Sequence, residues 1–233
     1  MPAPPRSPGG CRSHGPPSAL SRKQPQGLRR ASPRRLAYDS GYATAPSAEA
    51  ITKRKTIAAQ NISRNCLVCG ADNPFGLQAR FYELEAEGAD AGTGAGAAPA
   101  AGRELLGVFT LREEHQSYPG RLHGGISSAI LDETIGRAIT IAHPGVWGVT
   151  AELTLRYRKP LPLTGEVRAV GRITRDTRRL FEGTGEILLE DGSVAVEASG
   201  KYLKMDLGEI TDDDFDQREW FTDPRQRPDH IDL

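Results

Sequence analysis

The segment from Ile126 to Ala142, ISSAILDETIGRAITIA, carries only three charges, Asp132, Glu133 and Arg137, among small and apolar side chains. A helix on a protein surface keeps a polar stripe, whereas one that is apolar on nearly every face has to be enclosed. His143-Pro144-Gly145 then supplies a basic last turn, a residue that cannot continue the helix and a free exit, so the helix is predicted over about 125–142. What could enclose it follows in the chain. VTAELTLRYR, EVRAVGRITRD, LFEGTGEILLE and VAVEASGKYLKM alternate as strands do, with an Asp-Gly hairpin at Glu190 to Ser193 joining the last two. Before the helix, a strand is expected near Leu77 to Leu84, after the Asn73-Pro74 turn, and ELLGVFTL reads as another. The expected architecture is α+β: a curved antiparallel sheet wrapped around one long central helix, one sheet face dry and the other polar.

Charge divides the rest of the chain. The 30 basic and 30 acidic residues cancel overall, but residues 1–55 hold eleven Lys/Arg against two acids, and residues 206–233 hold ten acids against three basic residues. The expected organisation is a disordered basic Pro/Ser-rich tail over 1–55, or an over-called start, then one domain over 56–205 with a flexible Ala/Gly loop at 85–102, and an acidic C-terminal extension over 206–233. The head is Arg-rich as import peptides are, although its prolines suit an amphipathic helix badly. It lacks the aromatic interleaving of a nucleic-acid surface. No run reaches the roughly 18 apolar residues of a membrane span, and no secretory segment is visible. The expectation is a cytoplasmic protein without nucleic-acid or membrane partners. Cys66 and Cys69 form a single CLVCG unit. Tetrahedral zinc wants four ligands and no second pair exists, and no thioredoxin-like pattern surrounds the pair, so a tight turn with two half-buried thiols is preferred and no metal is expected.

On a helix at 100° per residue, Asp132 shares its face with Ser128, Ile135, Gly136 and Ile139, and no cation stands there. Glu133 has Arg137 four residues on and reads as half of an ion pair. A carboxylate on an apolar face costs several kcal/mol unless it is satisfied, and burial raises its pKa toward the range useful for a base or nucleophile. Backbone amides or water at a subunit seam are the alternative way to satisfy it. Gly124 and Gly125 open the same helix, where unpaired amides and about half a positive charge can hold an oxyanion; an ordinary tight turn accounts for the glycines alone equally well. His123 could orient a carbonyl or cap the helix. Amide donors followed by a carboxylate suggest acyl transfer to water.

The stretch HGGISSAILDETIG resembles the signature of hotdog-fold acyl-CoA thioesterases, in particular the phenylacetate-pathway type of the 4-hydroxybenzoyl-CoA thioesterase-like superfamily. The likeness runs from about Cys66 to Met205, through CLVCGADNPFGL, HQSYPGRLHGG, GVTAELTLRYRKPLPL and DGSVAVEASGKYLKM. It implies hydrolysis of acyl-CoA without a further cofactor, at sites on the interface of a homodimer or homotetramer. It further implies that Gly124, with Gly125 beside it, presents the oxyanion amide and that Asp132 is nucleophile or general base. Thr150 takes the place of a hydroxyl residue that in several relatives comes from the partner subunit. Strand alternation sets Thr150 opposite in parity to Val149, Ala151 and Leu153, in keeping with contact to a neighbouring chain. Where some relatives have an asparagine six residues before the histidine, this chain has Ser117, for which Ser117 itself or Gln116 could substitute. Arg156, Arg158 and Lys159 are candidates for the CoA phosphates, or a solvated strand edge. A non-catalytic acyl-CoA binding module and a hydratase or dehydratase of the same fold are the alternatives.

Overall fold

Alternation and turn chemistry become strands and a helix in the expected order in the computed structural model of the chain, which describes residues 52–85, 103–163, 165–211 and 215–233. The basic head up to residue 51 and the Ala/Gly stretch at 86–102 lie outside the described residues. In chain order come β1 (Lys53–Ala59), β2 (Ile62–Ser63), β3 (Arg80–Leu84), β4 (Glu104–Thr110) and the helix α1 (Gly124–Arg137), prolonged by a 3-10 turn over Ala138–Ile141. Then follow β5 (Trp147–Tyr157), β6 (Glu166–Asp176), β7 (Leu180–Leu188), β8 (Val194–Met205), the single turns α2 (Leu207–Ile210) and α3 (Phe215–Arg218), β9 (Trp220–Phe221) and β10 (His230–Asp232).

Eight strands make one sheet in the order β10-β1-β3-β4-β6-β7-β8-β5, and every neighbouring pair is antiparallel. Helix α1 lies across one face and packs on β4 to β8. Its Ile130, Leu131 and Ile135, with Ile139 just beyond, are fully buried against Phe81, Phe109, Phe181 and Tyr202. Each such side chain contributes about 1.5–3 kcal/mol on burial, far more than helix propensity offers, so packing holds the helix. Two glycines let it come that close. Gly171 of β6 faces Gly185 of β7 across the ladder. A Cβ at Gly171 would stand 2.7 Å from the Thr134 carbonyl oxygen, and one at Gly185 would stand 2.9 Å from Ile135 Cγ1.

Three expectations need correction. The other sheet face is not simply polar: Tyr82, Leu84, Leu106, Val108 and Val170, which alternate with the core residues, form a second apolar cluster with Ile231 and Leu233 packed on it. The head does not run to residue 55, because β1 begins at Lys53. The acidic extension is built into the domain: β10 pairs with β1, and β9 pairs with β2. Arg227 binds the carbonyl of Thr56, whose own amide donates to Asp229 at 3.0 Å. Among the described residues no helix is long and apolar enough to cross a membrane.

Candidate active site

The helix start is fixed by its own histidine. His123 is extended and caps α1, its Nδ1 accepting the Gly125 amide at 2.9 Å, while its backbone amide donates to His115 at 2.9 Å. Of the two expected oxyanion donors, Gly125 is therefore already engaged, and His123 acts as a cap. The Gly124 amide meets no acceptor among the described residues. Its carbonyl is held instead: Tyr157 donates its hydroxyl to the Gly124 oxygen at 2.8 Å and lies 3.1 Å from the Ser128 hydroxyl. The end of β5 thus braces the first turn of the helix.

Two turns on, Asp132 is half-buried and faces β5. Thr150 donates its hydroxyl to Asp132 Oδ1 at 2.7 Å, and the Tyr202 hydroxyl sits 3.3 Å from the Asp132 carbonyl oxygen. Burial holds the Asp132 carboxyl above its ordinary pKa, the adjacent charge of Glu133 adds to the rise, and the hydroxyls of Thr150 and Tyr202 oppose it. Tyr202 is pushed up in turn, by burial first and by the Asp132 charge second. A cavity of about 480 Å³ opens beside this carboxylate, lined by Thr150, Gly136, Trp147 and Gln60 among others.

Thr150 departs from its expected placement. Alternation set it away from the helix, but the β5–β8 register slips between Thr150 and Glu152, so Ala151 is an extra residue on that strand. Before the bulge Gly148 faces inward, where a Cβ would stand 2.8 Å from the Gly136 oxygen, and Thr150 shares that side. After it, the partly buried Leu153 and Leu155 face the core instead. The hydroxyl accordingly serves Asp132 of its own chain.

The other expected residues stand apart from Asp132. The Gln116 side chain closes the loop before the helix by accepting the Gly120 amide at 2.8 Å, and Ser117 is exposed in the same loop, its amide bonded to the Arg121 carbonyl. Arg158 makes a two-pronged ion pair with Glu197 at 2.8 and 2.6 Å, Arg156 approaches the same carboxylate at 3.8 Å, and Lys159 donates to Ser193. In the chain Arg156 and Arg158 stand on either side of Tyr157, and Lys159 follows. Glu133 behaves as expected, paired with Arg137 at 2.8 Å. Sequence reasoning passed over Tyr157 and Tyr202. The period of two through Leu153 and Leu155 could have pointed to Tyr157; nothing local singles out Tyr202.

A half-buried carboxylate on the central helix, an open amide at its start and a sheet wholly antiparallel around it coincide with a family match. Residues 119–196 match the thioesterase superfamily. The fold is the hotdog fold of that superfamily. The matched segment includes Gly124, Asp132 and Thr150. The chain is 30% identical over 92 residues to acyl-coenzyme A thioesterase THEM4 of Mus musculus, covering 39% of each chain. It is 25% identical over 81 residues to acyl-coenzyme A thioesterase 13 of Mus musculus, covering 35% of this chain and 58% of that one. It thus spans less than two thirds of the length of either curated relative. A solved thioesterase superfamily protein, RHA08564, aligns over 60% of each chain at 27% identity with a TM-score of 0.49.

Proposed function

We propose that the chain hydrolyses acyl-CoA thioesters to a free carboxylic acid and CoA, with Asp132 as the general base or nucleophile. The observation that carries this reading is the Asp132 carboxyl itself, half-buried beside a cavity, with its pKa raised and, among the described residues, only hydroxyls for partners. Such a group is basic enough to take a proton from water or to attack a carbonyl carbon, and among the described residues no guanidinium or ammonium pairs with it. The acyl-CoA thioesterase names of the two relatives support the substrate class.

Helix geometry bears on how such a site is completed. Gly124 and Asp132 stand eight residues apart, which at 1.5 Å per residue is roughly 12 Å along one axis. A carbonyl carbon that is attacked on one side while its oxygen takes an amide on the other needs the two groups within about 7 Å for direct attack and about 10 Å with a water between, since each contact is about 3 Å. One helix cannot offer both to one thioester. The reading therefore requires two copies, Asp132 of one protomer working with the Gly124 amide of another. Among the described residues β5, eleven residues long and carrying Thr150, is an edge strand, which supports that assembly.

Measuring thiol release from short, aromatic and long acyl-CoAs, alongside the mass in solution, tests both statements. Release by a dimer or larger oligomer is expected. Binding without release by any member of the panel would overturn the hydrolytic reading, and full turnover by a monomer would overturn the two-chain site.

A further inference from the structure

The turn Cys66-Leu67-Val68-Cys69-Gly70 has no part in that scheme, yet it places two free thiols face to face beside the central helix. The Gly70 amide closes the turn on the Cys66 oxygen at 2.9 Å, and the Val68 amide lies 3.3 Å from Cys66 Sγ. A Cβ at Gly70 would stand 2.3 Å from the same Cys66 oxygen, so only glycine permits so tight a loop. The two sulfurs and a Glu133 carboxylate oxygen lie within 4.8 Å of one another.

Such a cluster could hold a cation, but one is already there. Arg137 Nη2 lies 3.2 Å from Cys69 Sγ and 2.8 Å from Glu133, while its Nη1 donates to the Asn61 oxygen at 2.6 Å. The guanidinium also stacks on Phe81 and Trp220, at 4.3 and 4.6 Å from the ring centroids. A group held on so many sides does not yield its place to a metal ion. Exposure divides the two sulfurs: Cys66 is partly exposed and Cys69 is 1% exposed.

We propose that Cys66 and Cys69 are a redox-active dithiol that a low-molecular-weight disulfide oxidises to an intrachain disulfide, with Cys66 as the attacking and Cys69 as the resolving thiol. The Cys66 thiolate attacks one sulfur of the small disulfide, breaking its S–S bond and expelling one thiolate. Cys69, giving its proton to the departing thiolate, then attacks Cys66 Sγ, forms the intrachain bond and releases the second small thiol. With the proton that Cys66 released on ionising, which the second small thiolate takes up, the protein loses two electrons and two protons, and the disulfide becomes two thiols. A hydrogen bond from Cys69 and the turn's amides push Cys66 down to about 6 against the opposing effect of burial. The same bond, with burial, keeps Cys69 protonated. Oxidation also weakens the sulfur acceptor that Arg137 uses, and Arg137 is the ion-pair partner of Glu133, the chain neighbour of Asp132.

The test is a redox titration of the full chain in glutathione and glutathione disulfide mixtures, quenched with acid, alkylated and read by peptide mass. Cys66 and Cys69 are expected to leave the alkylated pool together, as one peptide lighter by two hydrogens. Cys69→Ser should accumulate a glutathione adduct on Cys66, and Cys66→Ser should leave Cys69 unmodified. In the reduced protein the pH profile of Cys66 alkylation should have its midpoint near 6 and move upward in Cys69→Ala. Two thiols still alkylated in the most oxidising mixture, or a glutathione adduct that persists on the wild type, would overturn the proposal. So would one equivalent of zinc retained by the wild type through a chelator wash and lost in Cys66→Ser.

Discussion

Asp132 and Glu133 are neighbours in the chain and look onto opposite worlds. Asp132 faces β5, where its partners are hydroxyls and its pKa is raised, whereas Glu133 faces the cysteine turn and is neutralised by Arg137. The difference teaches that carboxylate chemistry on this helix is decided by a rotation of about 100° between successive residues. One side is left without a counter-charge, although the cavity beside it reaches Glu133 and Arg137 as well. The other is locked into a guanidinium held by aromatic rings, a carbonyl and a thiol. The locked side holds the helix in place, while the other leaves Asp132 without a counter-charge.

The contrast can be broken most forcefully at Arg137. Arg137→Ala removes the counter-charge of Glu133, two ring contacts and a buried hydrogen bond, and should lower unfolding free energy by about 3–5 kcal/mol in urea denaturation. A loss below about 1 kcal/mol would show that the locked side does not hold the helix. Asp132→Asn should lower kcat on acyl-CoA by at least about 100-fold with little change in KM, while Glu133→Gln stays within a few-fold of the wild type. Equal losses from the two variants would erase the distinction.

Asp132 also makes a prediction about stability. A carboxyl whose folded pKa is raised binds its proton more tightly in the fold than in the unfolded chain, so ionisation at neutral pH costs stability. Asp132→Asn should therefore be more stable than the wild type at pH 7, with the gap closing as the pH falls through the raised folded pKa toward the unfolded one. Thermal melts across that range will show whether the gap closes.

Smaller effects refine the comparison. Tyr157→Phe deletes the hydroxyl that braces the Gly124 carbonyl and should slow turnover a few-fold, in line with about 1 kcal/mol for one hydrogen bond. Thr150→Ala removes a donor to the charged form of Asp132, so the acid limb of the kcat profile should move to higher pH; an unmoved limb would detach Thr150 from the titrating group.

Much of this site was legible in residue order. The i,i+4 spacing put Arg137 on Glu133 and left Asp132 without a cation, and Pro144 marked where the helix had to stop. Thr150 was misplaced because alternation assumes an unbroken ladder, and the extra residue at Ala151 breaks it only through pairing with β8. Gly124 and Gly125 look equivalent in the sequence, and only the backbone path at His123 shows which amide its imidazole takes. The acidic segment reads as an appendage on charge, although Ile231 and Leu233 cover apolar side chains of β3 and β4.

The sequence by itself determined an enclosed helix, the strands that surround it and one carboxylate with no local partner, because these follow from periodicity and spacing within a few turns of chain. Tertiary structure decided which hydroxyl meets that carboxylate, which amide stays open and where the chain ends are stitched into the sheet. Those outcomes rest on pairings between residues far apart in sequence, and a local pattern carries no register for a strand it has yet to meet.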